Sequence, residues 1–256
     1  MIKNKAYLPL LPLMMAALVG MPQGLKAQDY KPRYNSTVVS KSAPSVPAQK
    51  YNALNCPPPN NPPKIRVSIE SQPPLIDHNR SQYKLEDFET SGVSPYGADT
   101  YTKVQGLMRG TIKVQSSITM GWRANKAGDE NCYWYQGVDL MLRQAPIIYV
   151  AKEVPKGTCE YAEIIKHEKK HVAVDQQLLD EYLIIYRGAL QKIVAEVGVK
   201  GPYPNLVHEE SQSMMRQAVS QVVKEIHTRM RQERLYRQNN VDTLEEYERV
   251  NAACIR

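Results

Sequence analysis

The residues of this chain that are best suited to do chemistry are two histidines with a glutamate between them, in the run His167-Glu168-Lys169-Lys170-His171. Residues four apart on an α-helix lie on the same face, one turn apart. The two imidazoles could therefore bind one zinc ion, and Glu168 would be the general base that takes a proton from the attacking water. The same pattern also occurs on helices whose charged face is simply solvated.

A catalytic zinc site usually has three protein ligands, and no motif supplies the third one here. The longer metzincin motif is absent, because Val174 and Gln177 stand where it has glycine and histidine. The third ligand must therefore come from another part of the chain.

Helix geometry offers a candidate for the third ligand. If two long helices pack antiparallel about a turn near residue 201, the histidine pair lies opposite residues 231–235. Glu233 is in phase with the apolar stripe of the second helix, and we predict that it binds the metal. His227 at the edge of this stripe is the next candidate. Two further acids could serve but also fit a role as helix caps, Glu245 and Glu246.

Asp175 extends the pattern to H-E-x-x-H-x-x-x-D. Residues 167–175 resemble the active-site helix of thermolysin-type zincins, in which the matching acid orients a ligand histidine. The resemblance implies this role for Asp175, and the alternative is an ordinary surface acid. At a rise of about 1.5 Å per residue, Asp175 is about 12 Å from His167 along a straight helix, which argues against a direct bond to the metal.

A larger part of the chain, about residues 110–250, resembles exported bacterial H-E-x-x-H proteins of unknown function that are predicted to be zinc-dependent proteases. The shared features are strands before the motif, the Cys-Glu-Tyr segment at 159–161 and a long second helix that ends near the Asn-Val-Asp-Thr segment at 240–243. The resemblance implies a zincin-like fold and zinc-dependent proteolysis.

The first half of the chain has the period of β-strands. Apolar and polar residues alternate from Ile65 and again in segments 111–120 and 132–142, and residues 147–150 form a short apolar run. In segment 132–142 the alternation places four side chains on one face, Trp134, Val138, Leu140 and Leu142. The pattern predicts a small, mostly antiparallel sheet.

The period becomes helical after residue 157. Thr158 is a good N-cap for a long helix that extends to about residue 197 and carries the histidine pair. A turn rich in glycine and proline precedes a second long helix at about 206–238. A short third helix begins at Asp242 or Thr243, since both make capping boxes with acids three residues later. The predicted fold class is α+β, with the sheet followed by an antiparallel helical hairpin.

The N-terminus has the pattern of a signal peptide at residues 1–27, with lysines before an apolar stretch at about 6–20 and Ala27 for cleavage. A membrane anchor is the alternative, but the apolar stretch is short for one. Residues 28–63 are rich in Pro, Ser, Asn and Gln, which predicts a disordered leader. The folded domain would then span 64–256, in a periplasmic or secreted protein.

Export would place the four cysteines in an oxidising compartment, where disulfides persist. We favour Cys132–Cys159, which closes a short loop, and Cys56–Cys254, which ties the two ends of the mature chain. A thiolate metal site is the alternative, but no pair has the C-x2-C spacing of zinc ribbons.

The charge of the chain is only mildly basic. Loss of Lys3, Lys5 and Lys26 with the signal peptide would lower the net charge from +7 to +4. This argues against a nucleic-acid partner, although the basic second helix could meet an anionic envelope polymer or a membrane surface.

The sequence thus predicts a zinc-dependent hydrolase, most simply a metallopeptidase that acts on a peptide or protein substrate. The chain has no G-x-S-x-G elbow, P-loop or dinucleotide fingerprint. The alternative is a non-catalytic binding or structural protein of the cell envelope with the same fold.

Overall fold

The structure is a computed structural model that describes residues 56, 59–88 and 103–254. The predicted signal peptide and most of the predicted leader lie outside the described residues. Within the described part of the chain, no helix is long and apolar enough to cross a membrane.

The described residues form seven strands and four α-helices. The strands are β1 (Lys64–Ser71), β2 (Leu75–Asp77), β3 (Gly106–Arg109), β4 (Ile112–Ala124), β5 (Glu130–Gln144), β6 (Ile147–Val150) and β7 (Lys200–Pro204). The helices are α1 (Gln82–Glu86), α2 (Cys159–Val197), α3 (His208–Asn239) and α4 (Leu244–Ala252), and a short 3-10 helix lies at Asn205–Val207.

The strands make two small mixed sheets. In the first, β5 is parallel to β1 and antiparallel to β4 and β7. In the second, β6 is parallel to β2 and antiparallel to β3. The predicted α+β class is confirmed, whereas the expected single sheet is two. Parallel pairing of β1 with β5 is feasible because β2, β3 and β4 provide the long connection it needs.

A β-bulge changes which side chains of β5 face the core. The register shifts between Thr119 and Met120 of β4, so that Gln136 is an extra residue in β5. Tyr133 and Tyr135 are consequently buried. The prediction that Trp134 shares a face with the buried residues after the bulge is therefore wrong.

Helix α2 joins the two cores of the domain. Its N-cap is Thr158, as predicted, because the side chain accepts a hydrogen bond from the Tyr161 N–H. Near its start, Ile164 packs with the core around β6. From Leu178 onwards α2 packs with β5 and α3. The segment with the histidine pair lies between these two apolar regions.

Both disulfides of the structure differ from the predicted pairing, which is wrong. Cys56 is bonded to Cys132 and Cys159 to Cys254, with Cα atoms 5.6 and 5.7 Å apart. Cys132 is near the start of β5, and this strand carries the chain about 40 Å away before α2 begins at Cys159. A short separation in sequence is therefore a long one in space. The two disulfides are consistent with an oxidising location outside the cytoplasm.

Candidate metal centre

Two histidines of α2 and an aspartate from the α3–α4 junction form a cluster that could hold a metal ion. Asp242 Oδ1 lies 3.2 Å from His167 Nε2 and 3.1 Å from His171 Nε2. The two Nε2 atoms are 3.3 Å apart. Ligand atoms of a tetrahedral zinc site, with bonds of about 2.0–2.1 Å, are separated by about 3.3 Å. The three separations therefore match three ligands around one ion.

The other ring nitrogen of His171 contacts Gln238. Gln238 Oε1 faces His171 Nδ1, while Gln238 Nε2 donates to the His171 carbonyl oxygen at 3.1 Å and to Asp175 Oδ1 at 2.7 Å. With its amide nitrogen committed to two acceptors, Gln238 presents an oxygen to the ring. Nδ1 must then carry the donated proton, so the neutral ring has its lone pair on Nε2.

The other ring nitrogen of His167 faces a carboxylate. Glu246 Oε1 lies 3.3 Å from His167 Nδ1. Arg249 donates to both Glu246 oxygens and Lys170 Nζ lies 2.6 Å from Oε2, which together hold the pKa of Glu246 well below its usual range. An ionised carboxylate only accepts hydrogen bonds, so His167 Nδ1 also carries a proton.

The centre of the cluster favours positive charge. Burial alone would raise the pKa of Asp242, but its attraction to the two imidazoles, whenever these are protonated, outweighs burial and lowers that pKa to about 2. Burial likewise opposes the charged form of His167 and His171, yet Asp242 raises the pKa of both. His167 Nε2, His171 Nε2 and Asp242 Oδ1 make three pairwise contacts. One proton between these atoms can satisfy only one such contact, whereas a metal ion can bind all three atoms.

Asp175 is fully buried, which excludes the alternative of a surface acid. Its two oxygens accept hydrogen bonds from Arg234 Nε and Nη2, at 2.7 and 2.8 Å, from Gln144 Nε2 at 2.9 Å and from Gln238 Nε2 at 2.7 Å. A carboxylate has about four acceptor sites, and all are used here. Asp175 reaches His171 through Gln238.

Glu168, the predicted general base, is buried beside the histidine pair. Burial raises its pKa, against the opposing effect of charge on His171 and His167. The backbone N–H of Met108 in β3 donates to the carboxylate. A carboxylate with a raised pKa is a stronger proton acceptor, which suits a general base.

Strand β3 can lie this close to α2 because Gly106 has no side chain. A Cβ atom at this position would lie 2.3 Å from Ile164 Cγ2 and 2.9 Å from Glu168 Oε1. Both neighbours are buried, so neither has free space to move into. The glycine therefore determines where β3 meets Glu168.

We expect Gly106→Ala to lower the free energy of unfolding by about 1–3 kcal/mol, because the added methyl overpacks this contact. Gly188→Ala is the matched control, since Gly188 is exposed on α2 and no group of the described residues lies within 4 Å of a new Cβ. That variant should gain about 0.5–1 kcal/mol from helix propensity. Denaturant unfolding measures both, and equal effects would contradict the steric argument.

The structure does not bring Glu233, the predicted third ligand, to the cluster. Glu233 pairs with Arg237 at 2.8 Å on α3, and Asp242 supplies the third candidate ligand atom instead. The α2–α3 connection contains β7 and a 3-10 helix rather than a tight turn at residue 201. His171 therefore meets Gln238, about two helical turns beyond the predicted position.

The other predicted candidates also lie outside the ligand group. His227 has a buried Nδ1 with no hydrogen-bond partner among the described residues. Glu246 contacts the outer ring nitrogen of His167 rather than the metal side. The sequence could have indicated Asp242 as a ligand, because Asp242 and Thr243 were alternative N-caps of the third predicted helix and only one of them can be the cap. Thr243 is the observed N-cap of α4, which leaves the Asp242 carboxylate free to face the histidines.

The segment 240–254, which contains α4, covers the histidine pair. His167 and His171 are each 8 % exposed, and the Tyr247 ring of α4 packs edge-on to His167 with centroids 5.6 Å apart. The Cys159–Cys254 disulfide ties the end of this segment to the start of α2. A pocket of about 420 Å³ adjoins the segment. It is lined by Lys170, Asn240, Val241, Thr243, Glu245, Glu246 and Arg249.

The fold and the site define an α+β protein with a buried His/His/Asp group that could hold a metal ion. No protein-family model, curated protein or solved structure matches the chain significantly. The resemblance to zincins and to exported H-E-x-x-H proteins stays a prediction, based on the histidine pair and the helix that carries it.

Proposed function

We propose that this protein is an exported zinc-dependent hydrolase, most simply a metallopeptidase. The observation that supports it best is the convergence of His167 Nε2, His171 Nε2 and Asp242 Oδ1 within 3.1–3.3 Å of one another. Glu168 lies on the same helix beside this group, as a general base should. A peptide or protein is the substrate class that the H-E-x-x-H pattern favours.

Zinc is the metal that the donor set favours. Two imidazoles and one carboxylate are usual zinc ligands, and three protein ligands are typical of catalytic rather than structural zinc sites. The same donors also suit iron(II), but a nitrogen and oxygen site generally binds zinc more tightly than iron(II). Metal analysis distinguishes the two.

Each residue around the candidate metal centre would have a separate role in hydrolysis. Zinc, when bound, supplies Lewis-acid chemistry that polarises a carbonyl group and lowers the pKa of water. Glu168 would accept the proton of the attacking water and pass it to the leaving amine. Asp242 would balance the charge of the metal, and Glu246 would hold the His167 imidazole.

A second candidate function is a non-catalytic envelope protein whose metal ties its helices together. Burial of both histidines under α4 and the nearby disulfide favour this candidate. The two functions differ in one measurable property, because only the first predicts hydrolysis that requires the metal.

The exposed basic residues of α3 support a further proposed partner, an anionic envelope polymer or a membrane surface. Arg234 and Arg237 are engaged in ion pairs within the domain. Four other cations of this helix are exposed, Arg216, Lys224, Arg229 and Arg231. Association with such a surface would then decrease as ionic strength rises.

The test is metal analysis of the purified mature protein after loading with zinc and removal of the excess. We expect one zinc per chain in the wild type and little in His171→Ala, because two ligands remain where three are needed. His208→Ala is the control, since this histidine bonds Tyr133 and Gln212 instead. A zinc-free wild type would reject the proposal.

Activity is measured on a mixture of fluorogenic peptides with the same samples. Hydrolysis that a chelator abolishes and zinc restores supports the metallopeptidase. A protein that binds one zinc yet cleaves none of the peptides supports the non-catalytic alternative.

A further inference from the structure

We propose that Gln238 is the positioning residue of the metal centre, which holds His171 in the tautomer whose Nε2 lone pair faces the metal position. This inference rests on the proposed function in one respect, that the His/His/Asp group binds zinc. It concerns the tautomer and orientation of one ligand, which the rest of the proposed function does not address.

The orientation of the Gln238 amide is determined by its donors rather than by the histidine. Its Nε2 group has two hydrogens and two acceptors, the His171 carbonyl oxygen at 3.1 Å and Asp175 Oδ1 at 2.7 Å. An inverted amide would place an acceptor oxygen against two other acceptors. The amide oxygen therefore faces His171 Nδ1 and requires a proton on that nitrogen.

The amide is in turn held by a buried anchor. Asp175 is fully buried, and its remaining acceptor sites are filled by Arg234 and Gln144. Arg234 also donates to the Gly110 carbonyl oxygen at 2.8 Å. The position of the His171 ring is thereby tied to α3 and, through Arg234, to the residues beside β3.

Gln238 also lies at the end of α3, four residues before the third candidate ligand, Asp242. Its backbone carbonyl accepts from the Val241 N–H at 3.0 Å, in the turn that leads to Asp242. Gln238 thus contacts His171 of α2 with its side chain, and its backbone stabilises the turn before Asp242. A side-chain variant changes only the first of these contacts.

The test compares two glutamines that donate to the same carboxylate. Gln238→Met and Gln144→Met both remove an amide from Asp175 and keep a similar side-chain shape, but only Gln238 contacts His171. We expect Gln238→Met to weaken zinc binding by about 10–100-fold and Gln144→Met to leave it nearly unchanged. Zinc affinity is measured by competition with a chromophoric chelator.

A second readout follows the proton itself. In zinc-loaded wild type and Gln144→Met, proton NMR should show a slowly exchanging His171 Nδ1–H signal. In Gln238→Met this signal should be lost or exchange rapidly, because its acceptor is gone. A merely structural role of Gln238 in packing α3 against α2 would not change this signal selectively.

Gln238→Asn is a second variant for the case in which the methionine variant does not fold. Its shorter amide cannot span Asp175 and His171 together, so zinc binding should weaken as well. Equal zinc affinities for the Gln238 and Gln144 variants would overturn this proposal and leave the proposed function intact. A wild type that binds no zinc would overturn both.

Discussion

Replacing Glu168 with glutamine should lower peptide hydrolysis by about 10²–10⁴-fold and leave the zinc content unchanged. Glutamine has the shape of a protonated glutamate, and burial already raises the pKa of Glu168. The variant should therefore fold normally and accept the Met108 N–H with its amide oxygen. What it cannot do is take a proton from water, which is the role assigned to the carboxylate.

Glu196→Gln is the control for this experiment, because Glu196 is an exposed glutamate of the same helix that faces Lys192. It should change neither zinc content nor hydrolysis. Undiminished hydrolysis in Glu168→Gln would reject the assigned role while the metal site stands. Loss of zinc from a folded Glu168→Gln would show instead that Glu168 binds the metal.

The largest expected effect on stability is that of Arg234→Ala, a loss of about 3–5 kcal/mol in the free energy of unfolding. Asp175 is 0 % exposed, and Arg234 donates to both of its oxygens at 2.7 and 2.8 Å. Without the guanidinium, the donors that remain to the buried carboxylate among the described residues are two neutral amides, those of Gln144 and Gln238. The cost is that of an uncompensated buried charge, and denaturant unfolding of the metal-free protein measures it.

Arg237→Ala separates this effect from the loss of any arginine on α3. The two arginine side chains are equally accessible, 26 % for Arg234 and 25 % for Arg237. The partners of Arg237 are more exposed, at 43 % for Glu181 and 15 % for Glu233. We expect Arg237→Ala to cost no more than about 1 kcal/mol. Equal losses would mean that burial of the carboxylate is not the cause.

The helix with the histidine pair could be predicted from sequence because its signals are local. Thr158 caps α2 through the N–H three residues on, and the helical period then places His167 and His171 on one face. Thr243 caps α4 in the same way, whereas α3 begins at His208 without a side-chain cap. Such signals depend on neighbours within a few residues, so they do not require knowledge of the fold.

The register between helices could not be predicted to this accuracy. Apolar periodicity placed Glu233 on the inner face of α3, but it cannot specify how far α3 slides along α2. Strand β7 and the 3-10 helix in the connection set that offset, and they bring Gln238 and then Asp242 to the histidines. Asp242 therefore lies beyond the end of α3, where the sequence indicates only that Asp242 or Thr243 caps the next helix.

The sequence by itself thus determined the α+β class, the cap and course of α2 and the pair of imidazoles on one face. The tertiary structure alone decided the third candidate ligand, the chain from Arg234 through Asp175 and Gln238 to His171, and the cysteine pairs. The physical reason is how far apart in sequence the interacting residues are. Helix periodicity and capping act over one or two turns, whereas ligand convergence and disulfide pairing depend on contacts between residues more than 60 positions apart.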